Sequence, residues 1–575
     1  MIHRIWKLIP SAFHKKAFFI VVAAIIRALL NFISLAALLP MILIIIEGDE
    51  FLNHTFIAQY VARGLLPSMQ HLIIIGCVVV FLVFLGKNLL SIILLRYQNK
   101  KFNALYEYYS KSIFIEYYKR GFTSIKKRNS VLLAHNVLQI PGNFVFNVLG
   151  SFTAIITEAL LILTIYITLL IYKPYASLLL TLVFVPTVYL YIKTIKKRLQ
   201  QMGQKENHIR RNQSSLLQDA FKGYAEIVIN NAFPSVLKRY YKNIDSIKQI
   251  RLKNEQISMT PNPLVEMSLI LGIIVMILFN MRWDNHALQF TFSVFMIAAI
   301  RILPAVRIIL TRWTQIKYAH YVIDVIEEGT KREGTMGRTV PGQYLPFTKH
   351  ILLDRISFWF EDAKNTPLFN NFSLCIHKGE RLGIKGSSGS GKSTLFHLMK
   401  GFYFPMEGTI YIDDTPLTNE NIRKWHNNIA YVSQHIFMMD ETLANNIAMA
   451  FDEEEIDRKK IKRILKQLHM QRLINALPKG IDTPVGEAAN HLSGGEKQRI
   501  GIARALYKDA QVLFFDEATS ALDPATEREI QQLILTLSEN NKELTIIMIA
   551  HSETTLTFCD RIIDLDSLKN DTHKP

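Results

Sequence analysis

Eight consecutive residues, Gly386-Ser387-Ser388-Gly389-Ser390-Gly391-Lys392-Ser393, have the types and spacing to hold a chain of phosphates. The apolar run RLGIK precedes them and TLFHLMK follows, which is the strand–loop–helix context that turns a G-x-x-x-x-G-K-S pattern into a phosphate cradle. Glycines permit the turns that aim successive N–H groups inward, and a helix N-terminus adds positive potential. Lys392 is then placed to reach β/γ-phosphates and the Ser393 hydroxyl to ligate Mg²⁺. A Gly/Ser surface loop would share the composition but not the flanking elements. A second group lies in VLFFDEATSALD, where four apolar residues end in Asp516 and Glu517. A carboxylate at the tip of a buried strand suits a magnesium shell, and its neighbour suits a general base that polarises an attacking water. The same pair can cap a helix, a weaker reading beside a phosphate loop. The third group, LSGGEKQR at 492–499, offers Ser493, Gly494 and Gly495 as another small-residue, helix-opening anion site.

Such groups need a rigid support. Around them the runs ILLDRISFWF, RLGIKG, NIAYVSQ, AQVLFFDE and LTIIMIAH alternate with helical patterns, which predicts a buried parallel sheet in an α/β domain. The first 330 residues read differently. Six stretches, 18–46, 72–95, 144–172, 175–192, 264–279 and 290–310, approach or exceed the ~20 apolar residues that span a bilayer. The first is too long for the core of a signal peptide and has no small-residue cleavage site behind it. No such run follows residue 330, and residues 327–349 have the Gly/Thr/Lys/Pro chemistry of a linker. The predicted fold is therefore multidomain: an all-α six-helix transmembrane domain (1–326), a linker (327–349) and an α/β P-loop nucleotide-binding domain (350–575).

Charge supports this division. The 575-residue chain has a net charge of +18, but residues 1–330 carry 36 Lys+Arg against 16 Asp+Glu, and the remainder carries 30 against 32. Basic excess interleaved with apolar spans is positive-inside patterning, not a nucleic-acid surface. Connections 96–128 and 193–253 hold nine and fourteen Lys+Arg; the alternate ones are poor in them. The rich connections, and both termini, are thus expected on the cytoplasmic side of a multi-pass plasma (inner) membrane protein. They should extend the spans as helices beyond the bilayer. Residues 51–66 read as a short interfacial helix or an ordered outer loop. Half the residues are hydrophobic, which excludes a disordered chain, and three dispersed cysteines exclude a disulfide-stapled module.

With LSGGEKQR lying between the phosphate loop and the strand carboxylates, residues 350–567 resemble the ATP-binding cassette (ABC) family. The resemblance implies that Ser493, Gly494, Gly495 and Glu496 of one subunit close over ATP held by residues 386–393 and Thr394 of a second, identical half-transporter. It further implies roles for Gln434, contacting Mg²⁺ and water, and for His551, contacting the γ-phosphate. A lone strand-end His is otherwise a common structural hydrogen-bonder. Residues 520–523 match a loop crossing between partners, and Phe360 matches an aromatic that stacks on adenine. Glu496 replaces a common Gln and Phe360 a common Tyr, with the functions retained. ATP and Mg²⁺ are the implied cofactors.

Six spans followed by one cassette look like a half-transporter of the exporter type. The resemblance implies short transverse helices near 128–136 and 213–225 that couple the cassettes to the spans. Lys87 and Arg301 lie inside spans, as do Arg27, Arg307, Glu158 and Glu266. Charges there either pair internally or face a cavity suited to a phosphate or pyrophosphate head group. SLAALLPMI, GKNLL and RILPAVRII are similar to segments of flippases of lipid-linked oligosaccharides, although Pro261-Asn262-Pro263-Leu264 stands where such flippases have a basic residue. The expected partners are a lipid bilayer and an amphipathic or lipid-linked substrate, with no nucleic acid. A multidrug, lipid or peptide exporter of the same fold is the alternative.

Overall fold

The computed structural model describes residues 2–38, 40, 69–172, 174–280, 285–331, 343–360, 366–486, 492–517, 523–550 and 553–567. It divides into two compact units, 1–118 with 127–333, and 119–126 with 334–575. The readings for residues 51–66, 520–522 and 551 lie outside the described residues.

The first unit is helical. Six long helices, Ser11–Ala36, Met69–Lys119, Gly150–Tyr172, Pro174–Lys222, Pro261–Asn280 and Asn285–Tyr318, coincide with the six apolar stretches, except that 41–46 of the first lies outside the described residues and the third begins in the π-helix Asn143–Leu149. Among the described residues, Ser11–Ala36, Ile73–Lys119, Ser130–Ile171 and Phe233–Val275 are long and apolar enough to cross a membrane. The Met69–Lys119 helix has 51 residues, about 75 Å at 1.5 Å per residue, against about 30 Å of hydrocarbon. Its basic C-terminal half therefore stands beyond the bilayer. Ile74, Val78, Phe81, Leu82 and Ile93 are exposed on its apolar half, an unbroken surface that suits lipid and not water. Where the long helices gather, Tyr109, Ile113, Phe144, Val322 and Ile326 are buried together.

The short helices expected near 128–136 and 213–225 are met only in part. The first break comes at Gly121, whose φ of 77° few side chains tolerate, and is followed by helices Gly121–Lys127 and Ser130–Leu138. Residues 119–126, not 128–136, group with the second unit. The physical reason is Phe122, whose ring stacks on Phe402 at 4.9 Å and meets His397 at 4.7 Å and Tyr403 at 5.9 Å. In the second connection, residues 213–222 still belong to the Pro174–Lys222 helix, and the short helix is Tyr224–Ile229, after Gly223.

The rest of the second unit contains two sheets. Strands β1 (His350–Phe358), β2 (Phe369–His377), β4 (Glu407–Ile412) and β5 (Thr415–Pro416) form an antiparallel sheet in the order β2-β1-β4-β5. Strands β3 (Arg381–Lys385), β6 (Ile429–Val432), β7 (Val512–Asp516), β8 (Thr545–Ile549) and β9 (Arg561–Asp564) form a parallel sheet in the order β6-β7-β8-β3-β9. The expectation of one parallel sheet is corrected for ILLDRISFWF, which is β1 and pairs antiparallel with β2 and β4. Those partners alternate buried and exposed residues, as in FNNFSLCIH, so no continuous apolar run marked them. Ile351, Ile384, Phe396, Trp425 and Phe514 fill the core beneath the antiparallel sheet. A second core, with Ile461, Leu465, Ile500 and Phe515, packs helices Arg458–Gln467 and Gly494–Tyr507 onto β7 and β8.

Candidate functional site

Parallel strands deliver their carboxyl ends to one edge of a sheet, which is where open α/β sheets bind ligands. Here β3 leads into the phosphate loop, its neighbour β8 ends at Ile549, and β7 ends at Asp516, with Glu517 next in sequence. The Glu517 N–H donates to the Ile549 carbonyl at 3.0 Å, hooking Glu517 onto the end of β8. Glu517 sits at φ 50°, a left-handed conformation that a non-glycine residue adopts only when its surroundings hold it there.

The phosphate loop is built for close approach. Gly389 and Gly391 adopt φ of 85° and 100°, and a Cβ on Gly391 would lie 3.1 Å from the Phe369 ring. Gly391 caps the Lys392–Met399 helix. Buried Lys392 donates Nζ to the carbonyls of Gly386 and Ser387 at 2.7 and 2.9 Å, holding the ammonium within the loop. The Ser390 hydroxyl is buried and without a hydrogen-bond partner, a donor in a site that already has lysine and helix-terminal N–H groups. This donor set fits a polyphosphate. Gly386, Ser387, Ser388, Ser393 and Thr394 complete the loop and the first helical turn. Asp566, which sequence reasoning missed, braces the loop by accepting from the Ser387 N–H at 2.6 Å and its hydroxyl at 3.0 Å. Its only sequence signal was a carboxylate following the apolar run RIIDL.

Asp516 accepts from the Tyr431 hydroxyl at 2.9 Å. Burial, reinforced by Asp516, raises the Tyr431 phenol well above its ordinary range, so it remains a donor. Gln434 follows β6, and Gln498 of the signature helix donates to its carbonyl at 3.1 Å. The Asp516 carboxylate, the Ser393 hydroxyl and the Gln434 amide each carry an oxygen donor of the kind that suits Mg²⁺. Phe360 is exposed and meets Phe358 and Tyr403 edge-on at 5.2 and 6.0 Å, leaving a π face for a base.

The signature region adds a helix start. Ser493 caps the Gly494–Tyr507 helix, its hydroxyl accepting from the Glu496 N–H at 3.3 Å. Glu496 Oε2 accepts from the Ser493 N–H at 2.6 Å and hydroxyl at 2.8 Å. The Glu that departs from the common pattern is thus half of a capping box. A Cβ on buried Gly495 would lie 2.5 Å from Thr526 Cγ2, so only glycine fits there without a shift.

Within the helical unit, Lys87 on Met69–Lys119 and Arg301 on Asn285–Tyr318 are half-buried and electrostatically coupled. Arg301 lies 3.8 Å from Glu158, a buried carboxylate whose Oε2 has no hydrogen-bond partner. Arg27 donates to Gln98 at 3.3 Å. Internal pairing is therefore real but loose.

Residues 369–520 match the family described as ABC transporter. The chain is 28% identical over 454 residues to an ATP-dependent lipid A-core flippase of Cupriavidus pinatubonensis, covering 76% of this chain and 74% of the relative. It is 25% identical over 527 residues to ATP-dependent lipid A-core flippase 2 of Colwellia psychrerythraea, covering 88% and 86%. A solved bacterial Atm1-family ABC exporter with ATP bound shares the fold at a TM-score of 0.75 and 20% identity, covering 98% of this chain and 97% of that one. The chain has the architecture of that exporter, a helical domain and an ABC ATPase domain in one polypeptide. Its activity is ATP hydrolysis coupled to transport.

The capping box yields a direct expectation. Glu496→Gln retains an acceptor for Ser493 and leaves stability unchanged, whereas Glu496→Ala lowers it by about 1 kcal/mol, read from thermal unfolding of the purified protein.

Proposed function

We propose that two identical copies of this chain form a flippase that moves a phosphate-bearing glycolipid from the cytoplasmic leaflet of the inner membrane outward, driven by ATP. Both termini are cytoplasmic in this reading, and the domain boundaries are 1–326, 327–349 and 350–575. The observation that carries the substrate class is the placement of Lys87 and Arg301 within apolar helices, with Glu158 too distant for a tight pair. An unmatched cation at the bilayer centre costs about 2.5–3.5 kcal/mol, a cost that an anionic head group would offset by charge-assisted hydrogen bonds. The relatives named as lipid A-core flippases support a glycolipid; a lipid-linked oligosaccharide presents the same phosphate chemistry.

The cassette residues take the following roles. Phe360 stacks on adenine. N–H groups of residues 386–394 and the Lys392 ammonium hold the phosphates, and Lys392 stabilises the charge on the γ-phosphoryl group as it passes to water and ADP leaves. Ser393, Gln434 and Asp516 hold Mg²⁺, which when bound neutralises charge shared by the β- and γ-phosphates. Glu517 accepts a proton from the attacking water, and His551 donates to the γ-phosphate. Ser493, Gly494, Gly495 and Glu496 of one chain close over the ATP held by the other, so that neither chain alone completes a site. Closing and reopening that pair would drive alternation of the spans between inward- and outward-facing states.

Glu517→Gln removes the proton acceptor at nearly constant shape; ATPase activity is expected to fall at least ~10²-fold while ATP binding persists. A wild-type rate would reject Glu517 as the base. For the substrate, Lys87→Ala combined with Arg301→Ala is expected to keep basal ATPase activity and lose its stimulation by lipid A-core or by a polyprenyl-pyrophosphate glycan. Testing both lipids separates the two sources. Stimulation that survives the double substitution, or arises only with uncharged amphipaths, would favour a multidrug exporter instead.

A further inference from the structure

Directly behind the phosphate-loop helix lies a cation that the roles above do not use. Lys400 follows the Lys392–Met399 helix and is 1% exposed, and its Nζ has no hydrogen-bond partner among the described residues. Three rings surround it. Phe402 and Phe396 lie with their centroids 5.5 and 5.8 Å from Nζ, and Tyr431 lies at 3.4 Å. The Tyr431 hydroxyl is the group that donates to Asp516.

Burying an ammonium with no acceptor is costly. The ring faces offset part of that cost through their negative quadrupoles, and a desolvated cation–π contact is worth about 2 kcal/mol or more. The nearby imidazoles add no competing charge, because burial lowers His397 and His426 to about 4. A cation against the face of a phenol withdraws electron density from the ring, which makes the O–H a stronger donor. Tyr431 in β6 pairs with Phe514 in β7, two residues before Asp516, so the register aims that O–H at the end of the neighbouring strand. One carboxylate oxygen, Oδ2, is thereby held by the tyrosine.

We infer that Lys400 is a positioning residue for the magnesium carboxylate: stacked on Tyr431, it strengthens the Tyr431–Asp516 hydrogen bond and fixes the orientation in which Asp516 meets the cation. This rests on the assignment of Asp516 to the magnesium shell. Burial, only partly offset by the Asp516 carboxylate, lowers the Lys400 ammonium to about 7, so the charged form gains as pH falls below neutrality.

Mn²⁺ affinity of the ATP-bound full-length protein, followed by electron paramagnetic resonance at pH 6.5, tests the inference without turnover. Lys400→Met keeps an unbranched side chain without charge and is expected to weaken Mn²⁺ binding about 5- to 10-fold, with metal-free ATP affinity unchanged. Tyr431→Phe removes only the hydroxyl of a side chain that is 41% exposed, and is expected to weaken it at least as much. In the double variant the Lys400 effect should disappear, since the charge acts through that hydroxyl; a packing defect would persist. An additive double variant, or Lys400→Met within twofold of wild type, overturns the inference. If Lys400→Met does not fold, Tyr431→Phe decides, and unchanged Mn²⁺ affinity overturns it. Asp516→Asn separates the two levels: if it leaves Mn²⁺ affinity intact, the magnesium assignment itself falls.

Discussion

The register of the five-stranded parallel sheet is the constraint on which the cassette depends. β3, β8 and β7 are hydrogen-bonded neighbours, so their carboxyl ends reach one edge together. Shifting β7 by one residue against β8 would reverse the faces of Phe514 and Phe515 and carry Asp516 and Glu517 out of line with the phosphate loop. Two contacts secure the register: Phe396 of the loop helix packs edge-on against Phe514, and the Glu517 N–H is held by Ile549. Candidate site groups from Gly386 to Glu517, far apart in sequence, thus converge through the pairing of β3, β8 and β7.

The cassette was readable because its chemistry is local. A phosphate loop needs glycines in fixed order beside a strand and a helix, and a carboxylate pair needs an apolar strand behind it; both requirements are visible in consecutive residues. The antiparallel sheet was not readable, because β2 and β4 are interleaved with polar residues and acquire strand character only from β1. Asp566, Gln498 and Lys400 were missed for the same reason. Each acts across a long sequence separation, on Ser387, Gln434 and Tyr431 respectively. Phe122 is the clearest instance: a single aromatic in a basic stretch, it joins a cluster almost 280 residues away and moves the expected contact segment from 128–136 to 119–126.

The helical unit shows the opposite balance. Its spans follow from composition, and helix lengths of 51 and 49 residues carry the basic connections beyond the bilayer, as the distribution of Lys and Arg required. What composition could not separate was a paired intramembrane charge from a substrate contact. Arg301 has Glu158 as a neighbour, but at 3.8 Å, and shares its surroundings with Lys87, so internal pairing accounts for part of that charge.

The central claim is that each ATP is hydrolysed between two chains, held by the loop of one and closed over by the Ser493–Glu496 helix start of the other. Mixed dimers test it, with Lys392→Ala in one differently tagged chain and Gly494→Asp in the other. Asp at the first helical position keeps the helix and repels phosphate. Both parent homodimers should be inactive, whereas the mixed dimer retains one intact composite site and should recover ATP hydrolysis. A mixed dimer as inactive as its parents would contradict the account.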